Sequence, residues 1–406
     1  MTRAVVVGGG QAGVETASSL RLKGFEGEVV LLSGEPAHPY HRPPLSKEYL
    51  AGKSDVAGNP LRGESFFQTR DVQLRRDARV VQIDRAAAEV TVASGERFGY
   101  DQLVLATGST PRTLPVPGAE LAGVATLRRL EDACQLREQL PQARHVVVLG
   151  AGFIGMECAA TASGLGVPVT VVEMAEQALG RVVSRPTAEF VVDRHREAGN
   201  TVLFGRKATE FRGENGAVRA VVLDDGSELP ADLVIVGVGI TPNTELAESA
   251  GLAVANGIVV DELLRTEDPR IYAVGDCANY PSVHAGSRIR LESVQNAVEH
   301  GQCVAQSIAG SPAPYRAVPW FWTHQLAMRL QIAGLAHGDE DTVRRPGSEP
   351  GSFSMFRYRG EQLTAVESMN HPRIHMAARK LLGGGVPLAR EQAADPDYDL
   401  KAHLSG

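Results

Sequence analysis

The sequence predicts an α/β chain in which two similar strand-helix-strand segments are followed by a smaller α+β region. Two glycine patterns predict the segments, because each one follows a short apolar run and precedes a helix-like stretch. Proline-rich breaks at 110–118, 241–243 and 311–319 predict where the regions meet. After residue 319 the pattern changes to short strand-like pieces, which predicts the third region.

Composition excludes several classes of protein. The chain has 406 residues, 43% hydrophobic and 22% charged, which is typical of a soluble globular protein with two to four domains. Its net charge of -7 argues against a general nucleic-acid or anionic-membrane binder. Because a strand-like run already starts at Ala4 and no apolar run approaches the ~20 residues that span a bilayer, we expect a cytoplasmic protein.

The first glycine pattern has the spacing of a dinucleotide-binding loop. Gly8 permits a tight turn, Gly10 lets a pyrophosphate approach the backbone, and Gly13 lets the next helix pack on the strand. Glu35 stands 22 residues beyond Gly13, where a carboxylate accepts hydrogen bonds from ribose hydroxyls. The alternative is a glycine-rich turn that binds no ligand.

The second pattern, at Gly150, Gly152 and Gly155, repeats this arrangement, and Glu173 stands 18 residues beyond it. A carboxylate there repels a 2′-phosphate, and the acidic Glu176 follows instead of an arginine, so the sequence predicts NADH rather than NADPH. The alternative for Glu173 is a solvated strand end. Two such loops indicate two dinucleotides, most simply a resident FAD on the first and an exchanging nicotinamide on the second.

The breaks predict a discontinuous first domain. The first break follows a predicted strand at 102–106 and the second follows one at 233–237, so the second Rossmann-like segment is predicted to be inserted into the first. We expect an FAD-binding domain at 1–112 and 238–318, an NAD-binding domain at 113–237, and a C-terminal α+β domain at 319–406. The other predicted strands lie at 4–7, 29–32, 146–149, 169–172, 272–275, 352–358 and 362–368. Two predicted helices follow the glycine patterns and end near residues 22 and 165, and two more span 293–308 and 374–382.

Eight motifs together resemble the glutathione reductase-like flavoproteins with two dinucleotide-binding domains. Within these, the chain resembles the NADH-dependent ferredoxin reductases that serve bacterial P-450-type monooxygenases and aromatic-ring dioxygenases. The resemblance implies FAD and NADH as cofactors, no metal, and a 2Fe-2S ferredoxin as a transient, electrostatically bound partner of a monomer or weak dimer. The motifs are GGGQAG at 8–13, RPPLSK at 42–47, LATGSTPR at 105–112, GAGFIGME at 150–157, GRVVS at 180–184, GVGITPN at 237–243, IYAVGDCA at 271–278 and ESVQNA at 292–297.

The resemblance also implies the site residues. Lys47 would lie near the reactive N5 edge of the flavin, with Glu157 within reach, and these two are the implied catalytic residues; an ordinary surface ion pair is the alternative. Asp276 would bind the ribityl chain, and the helix amides near Val294 would face the flavin pyrimidine. The other implied FAD contacts are Gly8, Gly10, Ala12, Gly13, Glu35, Arg42, Val80, Ala106, Thr107, Gly108, Arg112 and Trp322. The residues implied near NADH are Gly150, Gly152, Ile154, Gly155, Glu157, Glu173, Arg181, Gly237, Gly239 and Glu292.

Some of these residues have alternative interpretations. Arg181 is nearly as well explained as a solvated loop cation. Trp320 and Trp322 are the only tryptophans, and core packing explains them equally well. Five arginines could contact an acidic ferredoxin, but for each one a solvated surface charge is the simpler interpretation. These are Arg70, Arg75, Arg76, Arg288 and Arg290.

The cysteines separate this chain from enzymes that relay electrons through a thiol. No cysteine stands between residues 14 and 112, and none of the four cysteines forms a CxxC pair or a zinc-like spacing. Cys158 and Cys277 are predicted to be buried packing groups. Electrons are therefore expected to pass from the reduced flavin directly to the ferredoxin.

The sequence is also compatible with other functions. A rubredoxin reductase or a monodehydroascorbate-type reductase would use the same flavin chemistry with another acceptor. A cell-death-type flavoprotein acting as an NADH-responsive binding module shares the architecture, although such proteins usually carry basic targeting segments that this sequence lacks.

Overall fold

The structure is a computed structural model that describes residues 2–55, 59–180 and 182–404. The chain divides into two compact units. The first unit comprises Met1–His41, Val56–Thr110 and Thr241–Pro319, and the second comprises Arg42–Asp55, Pro111–Ile240 and Trp320–Gly406. The C-terminal region thus shares a unit with the predicted NAD-binding region, and the three-domain boundaries stay a prediction.

The elements are numbered in chain order. The strands are β1 (Arg3–Val7), β2 (Glu28–Leu32), β3 (Val72–Arg75), β4 (Val80–Asp84), β5 (Glu89–Val92), β6 (Arg97–Gly99), β7 (Gln102–Leu105), β8 (Ser109–Pro111), β9 (Val124–Ala125), β10 (Val146–Leu149), β11 (Val169–Val172), β12 (Thr201–Leu203), β13 (Ala208–Glu214), β14 (Ala217–Leu223), β15 (Glu228–Pro230), β16 (Leu233–Val236), β17 (Ile240–Pro242), β18 (Ile258–Val259), β19 (Ile271–Ala273), β20 (Ala278–Ser282), β21 (Ser287–Ile289), β22 (Trp320–Gln325), β23 (Met328–Gly334), β24 (Asp341–Pro346), β25 (Phe353–Arg359) and β26 (Gln362–Met369). The α-helices are α1 (Gln11–Leu22), α2 (Glu64–Thr69), α3 (Leu130–Gln139), α4 (Phe153–Gly164), α5 (Arg185–Glu197), α6 (Glu245–Ser249), α7 (Val294–Ile308), α8 (Pro372–Gly384), α9 (Arg390–Ala394) and α10 (Leu400–His403). Short 3₁₀ turns lie at Pro43–Ser46, Leu140–Gln142 and Gly275–Cys277.

The first unit is built on a parallel sheet in the order β19-β7-β1-β2-β3. The strands form because Val5, Val30 and Leu103 belong to nearly continuous apolar runs, and a parallel sheet covered on both faces buries every residue of such a run. Helices α1 and α7 pack against each other in this unit. Its smaller sheets have the orders β4-β5-β6 and β18-β20-β21.

The second unit contains a parallel sheet and a larger antiparallel sheet. The parallel sheet has the order β12-β11-β10-β16-β9, and a small antiparallel sheet of β13, β14 and β15 accompanies it. The antiparallel sheet of the C-terminal region has the order β22-β23-β26-β25-β24.

The antiparallel sheet shares a hydrophobic core with the parallel layer of the same unit. Met328 and Leu330 of β23 and Met355 of β25 lie in one cluster with Val148 of β10 and Met156 of α4. Successive residues of a strand point to opposite faces. The other face of the sheet accordingly packs against α8, in a cluster that includes Phe356, Val366, Ile374, Ala378 and Leu381.

The predicted fold class is confirmed, with two Rossmann-like parallel sheets and a C-terminal α+β region. The predicted strand at 272–275 is wrong at its end, because β19 stops at Ala273 and Gly275 opens a 3₁₀ turn. Gly275 has φ +73°, a left-handed conformation that a strand residue does not adopt. This turn carries Asp276 out of the sheet.

Candidate functional site

The first glycine loop lies in the first unit, between β1 and α1. A Cβ atom on Gly8 would stand 2.1 Å from the carbonyl oxygen of Ala106, and one on Gly13 would stand 1.9 Å from the carbonyl oxygen of Gly8. Both positions therefore require glycine for close backbone packing. A Cβ on Gly10, the N-cap of α1, would meet no atom within 4 Å. The loop thus leaves open space at a helix N-terminus, where backbone amides favour a phosphate.

The second loop, between β10 and α4 in the second unit, has the same construction. A Cβ on Gly150 would lie 2.5 Å from the carbonyl oxygen of Gly237, and one on Gly155 would lie 2.1 Å from the carbonyl oxygen of Gly150. A Cβ on Gly152, the N-cap of α4, would meet no atom within 4 Å. Each loop therefore has the open helix N-terminus that a pyrophosphate needs.

The residues that follow these N-caps differ in exposure. Ala12 is 8% exposed, whereas Ile154 is 46% exposed although it is a large apolar residue. An exposed isoleucine beside an open helix N-terminus is available to contact a nucleotide.

The two predicted ribose-binding carboxylates lie just beyond the second strand of each βαβ segment. Glu35 accepts a hydrogen bond from the Tyr40 hydroxyl at 2.5 Å. Glu173 accepts hydrogen bonds from the backbone amides of Ala151 at 2.7 Å and Ala175 at 2.9 Å. Because Ala151 belongs to the glycine loop, this contact fixes a negative charge at the edge of that loop. The ribose contacts of both carboxylates stay predictions.

The other predicted FAD residues of the first unit lie at strand ends and turns. Thr107 donates through Oγ1 to the carbonyl oxygen of Asn243 at 2.7 Å, and Gly108 follows it with a left-handed backbone at φ +68°. Asp276 accepts a hydrogen bond from Ser109 Oγ at 2.8 Å, which holds its carboxylate on the segment that follows β7.

Helix α7 begins at Val294, one residue after the predicted start. Ser293 caps it by accepting a hydrogen bond from the Asn296 amide at 3.0 Å. Glu292, which precedes this cap, is paired at 2.8 Å with Arg290. Val80 is the half-buried first residue of β4.

A buried histidine supports the turn that carries Asp276. His300 of α7 accepts a hydrogen bond from the Gly275 amide at 3.2 Å through Nδ1, and its ring lies edge-on to Tyr280 and Tyr315. Burial lowers the pKa of His300 to about 3, so the ring is neutral near physiological pH.

The predicted FAD residues of the second unit include two arginines that bind backbone oxygens. Arg42 donates to the carbonyl oxygen of Arg128 at 2.7 Å. The Arg112 amide donates to the carbonyl oxygen of Gly239 at 3.0 Å, and its guanidinium donates to that of Ile240 at 3.2 Å. These contacts fix the positions of both side chains.

Trp322 of β22 lies against Trp320, with ring centroids 5.3 Å apart. Both tryptophans are half-buried, so neither packing nor ligand contact is favoured by exposure alone. Arg181, which the resemblance implies near NADH, lies outside the described residues.

Lys47 and Glu157 form an ion pair inside the second unit. Lys47 Nζ lies 2.5 Å from Glu157 Oε2, and the side chains are only 16% and 3% exposed. Such burial is inconsistent with an ordinary surface ion pair. The structure therefore brings the two predicted catalytic residues together, while their action on a flavin stays a prediction.

Two hydroxyl groups that the sequence did not single out complete this cluster. Ser46 donates to Glu157 Oε2 at 2.5 Å, and Thr323 of β22 donates to Glu157 Oε1 at 2.6 Å. Thr161, one turn after Glu157 on α4, donates to the carbonyl oxygen of Ser46 at 2.7 Å. Ser46 lies within the RPPLSK motif beside Lys47, but no local spacing could identify Thr323, because its contact spans 166 residues.

The cysteines beside the predicted site residues are buried. Burial raises the pKa of the Cys158 thiol to about 12, with a smaller contribution from the neighbouring Glu157. Burial also raises the pKa of Cys277. Both thiols therefore stay protonated, which suits packing groups and not redox centres.

Two of the arginines considered for partner docking are engaged within the first unit. Arg290 is only 9% exposed and contacts Glu292 and the carbonyl oxygen of Asp276, which leaves it little surface for a partner. Arg288 is exposed but donates to the carbonyl oxygens of Val260 and Asn279. The exposed arginines of the other candidate cluster are Arg70, Arg75 and Arg76.

The described part of the chain contains no group of three or more His, Cys, Asp or Glu side chains placed to hold a metal ion. In the same residues, no helix combines the length and the apolar character that crossing a membrane requires. The groups that the two open loops fit are dinucleotides.

Comparison with protein families gives two matches. The family described as pyridine nucleotide-disulphide oxidoreductase matches residues 2–301, and the reductase C-terminal family matches residues 320–404. Together they cover both dinucleotide loops and the antiparallel sheet.

Individual relatives match over nearly their whole length. The chain is 45% identical to rhodocoxin reductase of Rhodococcus erythropolis, over 99% of this chain and 94% of that protein. It is 40% identical to a rubredoxin-NAD(+) reductase of Pseudomonas putida, over 95% of this chain and 99% of that protein.

Solved structures of two similar reductases superimpose on this chain over its whole length. The ferredoxin reductase for the CYP199A2 system of Rhodopseudomonas palustris is 44% identical and superimposes with a TM-score of 0.97 over all of both chains. The reductase in a covalent putidaredoxin reductase-putidaredoxin complex is 38% identical, with a TM-score of 0.96 over 100% of this chain and 98% of that one.

Proposed function

The chain belongs to the pyridine nucleotide-disulphide oxidoreductase family, and from this premise we propose that it is an FAD-containing reductase that carries electrons from NADH to a 2Fe-2S ferredoxin of an oxygenase system. The main support is the presence of two glycine loops with open helix N-termini. The chain that contains them matches ferredoxin reductases over 99–100% of its length. A bound FAD supplies a group that accepts a hydride and releases electrons singly.

Residues of the first unit would hold FAD. The open N-terminus of α1 at Gly10 would accept the pyrophosphate, and Glu35 would accept hydrogen bonds from the ribose hydroxyls. Asp276, held by Ser109, would accept a hydrogen bond from the ribityl chain. Such a charge-assisted bond contributes about 1.5–3 kcal/mol to binding.

Residues of the second unit would hold NADH. The N-terminus of α4 at Gly152 would accept the pyrophosphate, and the exposed side chain of Ile154 would contact the nucleotide. The Glu173 carboxylate accepts a hydrogen bond from the Ala151 amide, which holds it at the edge of the loop. Its negative charge there would repel a 2′-phosphate. NADH is therefore the proposed donor in preference to NADPH.

The Lys47 ammonium group would stabilise negative charge on the reduced flavin. It is desolvated beside Glu157, and a positive charge acts more strongly on its surroundings when water is excluded. Glu157 keeps this ammonium in place while the flavin is oxidised.

The path of electrons out of the enzyme would not involve a thiol. The sequence has no cysteine before Cys134, and Cys158 and Cys277 are buried and protonated. We therefore propose a direct transfer from reduced flavin to a docked protein. Three of the reductases similar to this chain are named for rhodocoxin, putidaredoxin and a P-450 system, which supports a ferredoxin as the partner.

Rubredoxin is the second candidate acceptor. A rubredoxin-NAD(+) reductase is 40% identical over 384 residues, which is only slightly less similar than rhodocoxin reductase. The flavin chemistry would be unchanged, and the acceptor-docking surface would differ.

The experiment is a comparison of acceptors. Purified protein with bound FAD is given NADH and either a 2Fe-2S ferredoxin or a rubredoxin, and the rate is measured at increasing salt concentration. Fast, salt-sensitive turnover with the ferredoxin supports the proposal, because electrostatic docking weakens as salt screens charge. Faster turnover with rubredoxin would favour the second candidate.

A further inference from the structure

The carboxylate of Glu157 is satisfied by three donors instead of by one. Oε2 receives Lys47 Nζ and Ser46 Oγ, each at 2.5 Å, and Oε1 receives Thr323 Oγ1 at 2.6 Å. Glu157 is 3% exposed and Thr323 is fully buried, so water cannot take over these positions. The two hydroxyls therefore provide hydrogen bonds that do not depend on Lys47.

Thr323 reaches Glu157 because of the register of the antiparallel sheet. It pairs with Leu330 of β23, whose side chain packs in the core shared with α4. Residues paired across two strands point to the same face, so β22 directs Thr323 toward the helix that carries Glu157. Phe153 of α4 and Phe321 of β22 contact each other at 4.4 Å between ring centroids, which fixes these two elements together.

Lys47 has a second set of partners near the same carboxylate. Its ammonium also donates to the carbonyl oxygen of Pro43 at 3.1 Å and lies 3.5 Å from Ser46 Oγ. If Lys47 turned away from Glu157, Oε2 would keep Ser46 and Oε1 would keep Thr323. Without those hydroxyls, the departure of Lys47 would leave a buried carboxylate with no donor, which is strongly unfavourable.

We propose that Thr323 and Ser46 are positioning residues that hold the Glu157 carboxylate while Lys47 turns its charge toward the reduced flavin. The inference rests on the proposed role of Lys47. It adds that the ammonium is able to move because the two hydroxyls keep Glu157 hydrogen-bonded. When Thr323 is replaced by valine, Glu157 binds Lys47 more tightly and less positive charge reaches the reduced flavin.

The test is the midpoint potential of the bound flavin in Thr323→Val, measured at pH 8 by titration with a chemical reductant. The reduced-to-oxidised ratio at a given potential should fall about tenfold, which is a decrease of about 30 mV for a two-electron couple. Thr323→Ser restores the hydroxyl and should restore the potential. Thr342→Val, at an exposed position on β24 of the same sheet, is the matched control and should leave the potential unchanged.

The outcomes separate this inference from the proposed function. An unchanged or increased potential in Thr323→Val, or a failure of Thr323→Ser to restore it, overturns the positioning role. If Thr323→Val does not retain FAD, the midpoint potential is measured in Ser46→Ala instead, and the same decrease in potential is expected. Because the titration uses a chemical reductant, it remains decisive even if the wild-type flavin is not reduced by NADH, a result that would contradict only the proposed function.

Discussion

Alanine substitutions at two glycines of the second loop should affect different properties of the protein. Gly152→Ala should weaken NADH binding, whereas Gly155→Ala should destabilise the fold. A Cβ on Gly152 would enter open space at the N-terminus of α4 and meet no protein atom within 4 Å. The free energy of unfolding should therefore stay nearly unchanged. The methyl group would occupy the space that a pyrophosphate needs, so at least one charge-assisted hydrogen bond to the nucleotide is lost.

The size of both effects follows from the geometry. One charge-assisted hydrogen bond contributes about 1.5–3 kcal/mol, so Gly152→Ala should increase the Kd for NADH by roughly 10- to 150-fold. In Gly155→Ala the new Cβ would lie 2.1 Å from the Gly150 carbonyl oxygen, far inside ordinary contact distance. Helix α4 must shift, which should lower the free energy of unfolding by about 1–3 kcal/mol.

The assay is rapid mixing of the FAD-loaded protein with NADH, in which the dependence of flavin reduction on NADH concentration gives the Kd. Chemical denaturation gives the free energy of unfolding. Gly164→Ala, at the other end of α4 where a Cβ also meets no atom within 4 Å, is the control. It should leave the Kd unchanged and should raise the free energy of unfolding by at most about 1 kcal/mol, because alanine favours a helix more than glycine does. An unchanged Kd in Gly152→Ala would refute the assignment of this loop to the nicotinamide dinucleotide.

Three further substitutions test the remaining groups. Lys47→Met should slow flavin reduction by NADH on the order of 100-fold while FAD stays bound, because a charge that stabilises the reduced flavin is removed; unchanged reduction kinetics would exclude this role. Glu173→Gln should narrow the preference for NADH over NADPH in kcat/KM by about tenfold, since the repulsion of a 2′-phosphate is relieved, and a ratio equal to that of the wild type would count against it. Burial lowers the pKa of His300 from 6.5 to about 3. The unfolded chain therefore binds the proton more readily than the folded chain, so the free energy of unfolding is highest above about pH 6.5 and falls as the pH drops. Denaturation between pH 6.5 and 5 should show a loss of about 2 kcal/mol that is absent from His300→Asn, and identical slopes in the two proteins would contradict the assignment.

Local patterns predicted the parts of the fold that depend on neighbouring residues. The strands at Val146–Leu149 and Val169–Val172 end where the apolar runs end, because a buried parallel strand needs a continuous apolar sequence. Both glycine loops were identified from spacing, since the close approach of Gly155 to Gly150 is a property of six consecutive residues.

Long-range contacts could not be predicted in this way. Thr323 meets Glu157 only because the antiparallel sheet packs on α4, and nothing in the sequence near either residue indicates that packing. The buried Glu367 of β26 is similar, because it accepts hydrogen bonds from the amide and hydroxyl of Ser184 at the start of α5, 183 residues away. These contacts place the C-terminal sheet in one compact unit with the second parallel sheet, although the sequence suggests a separate domain.

The most direct test of the proposed function is NADH-driven electron transfer by the FAD-loaded protein to a panel of a 2Fe-2S ferredoxin, a rubredoxin and a disulfide, with oxygen uptake recorded in parallel. A ferredoxin reductase should reduce the ferredoxin fast and in a salt-sensitive manner, leave the disulfide unreduced, and take up little oxygen. Slow reduction of the flavin by NADH with no acceptor taking electrons would contradict the proposed function. That result would favour an NADH-responsive binding module and would remove the catalytic roles proposed for Lys47 and Glu157.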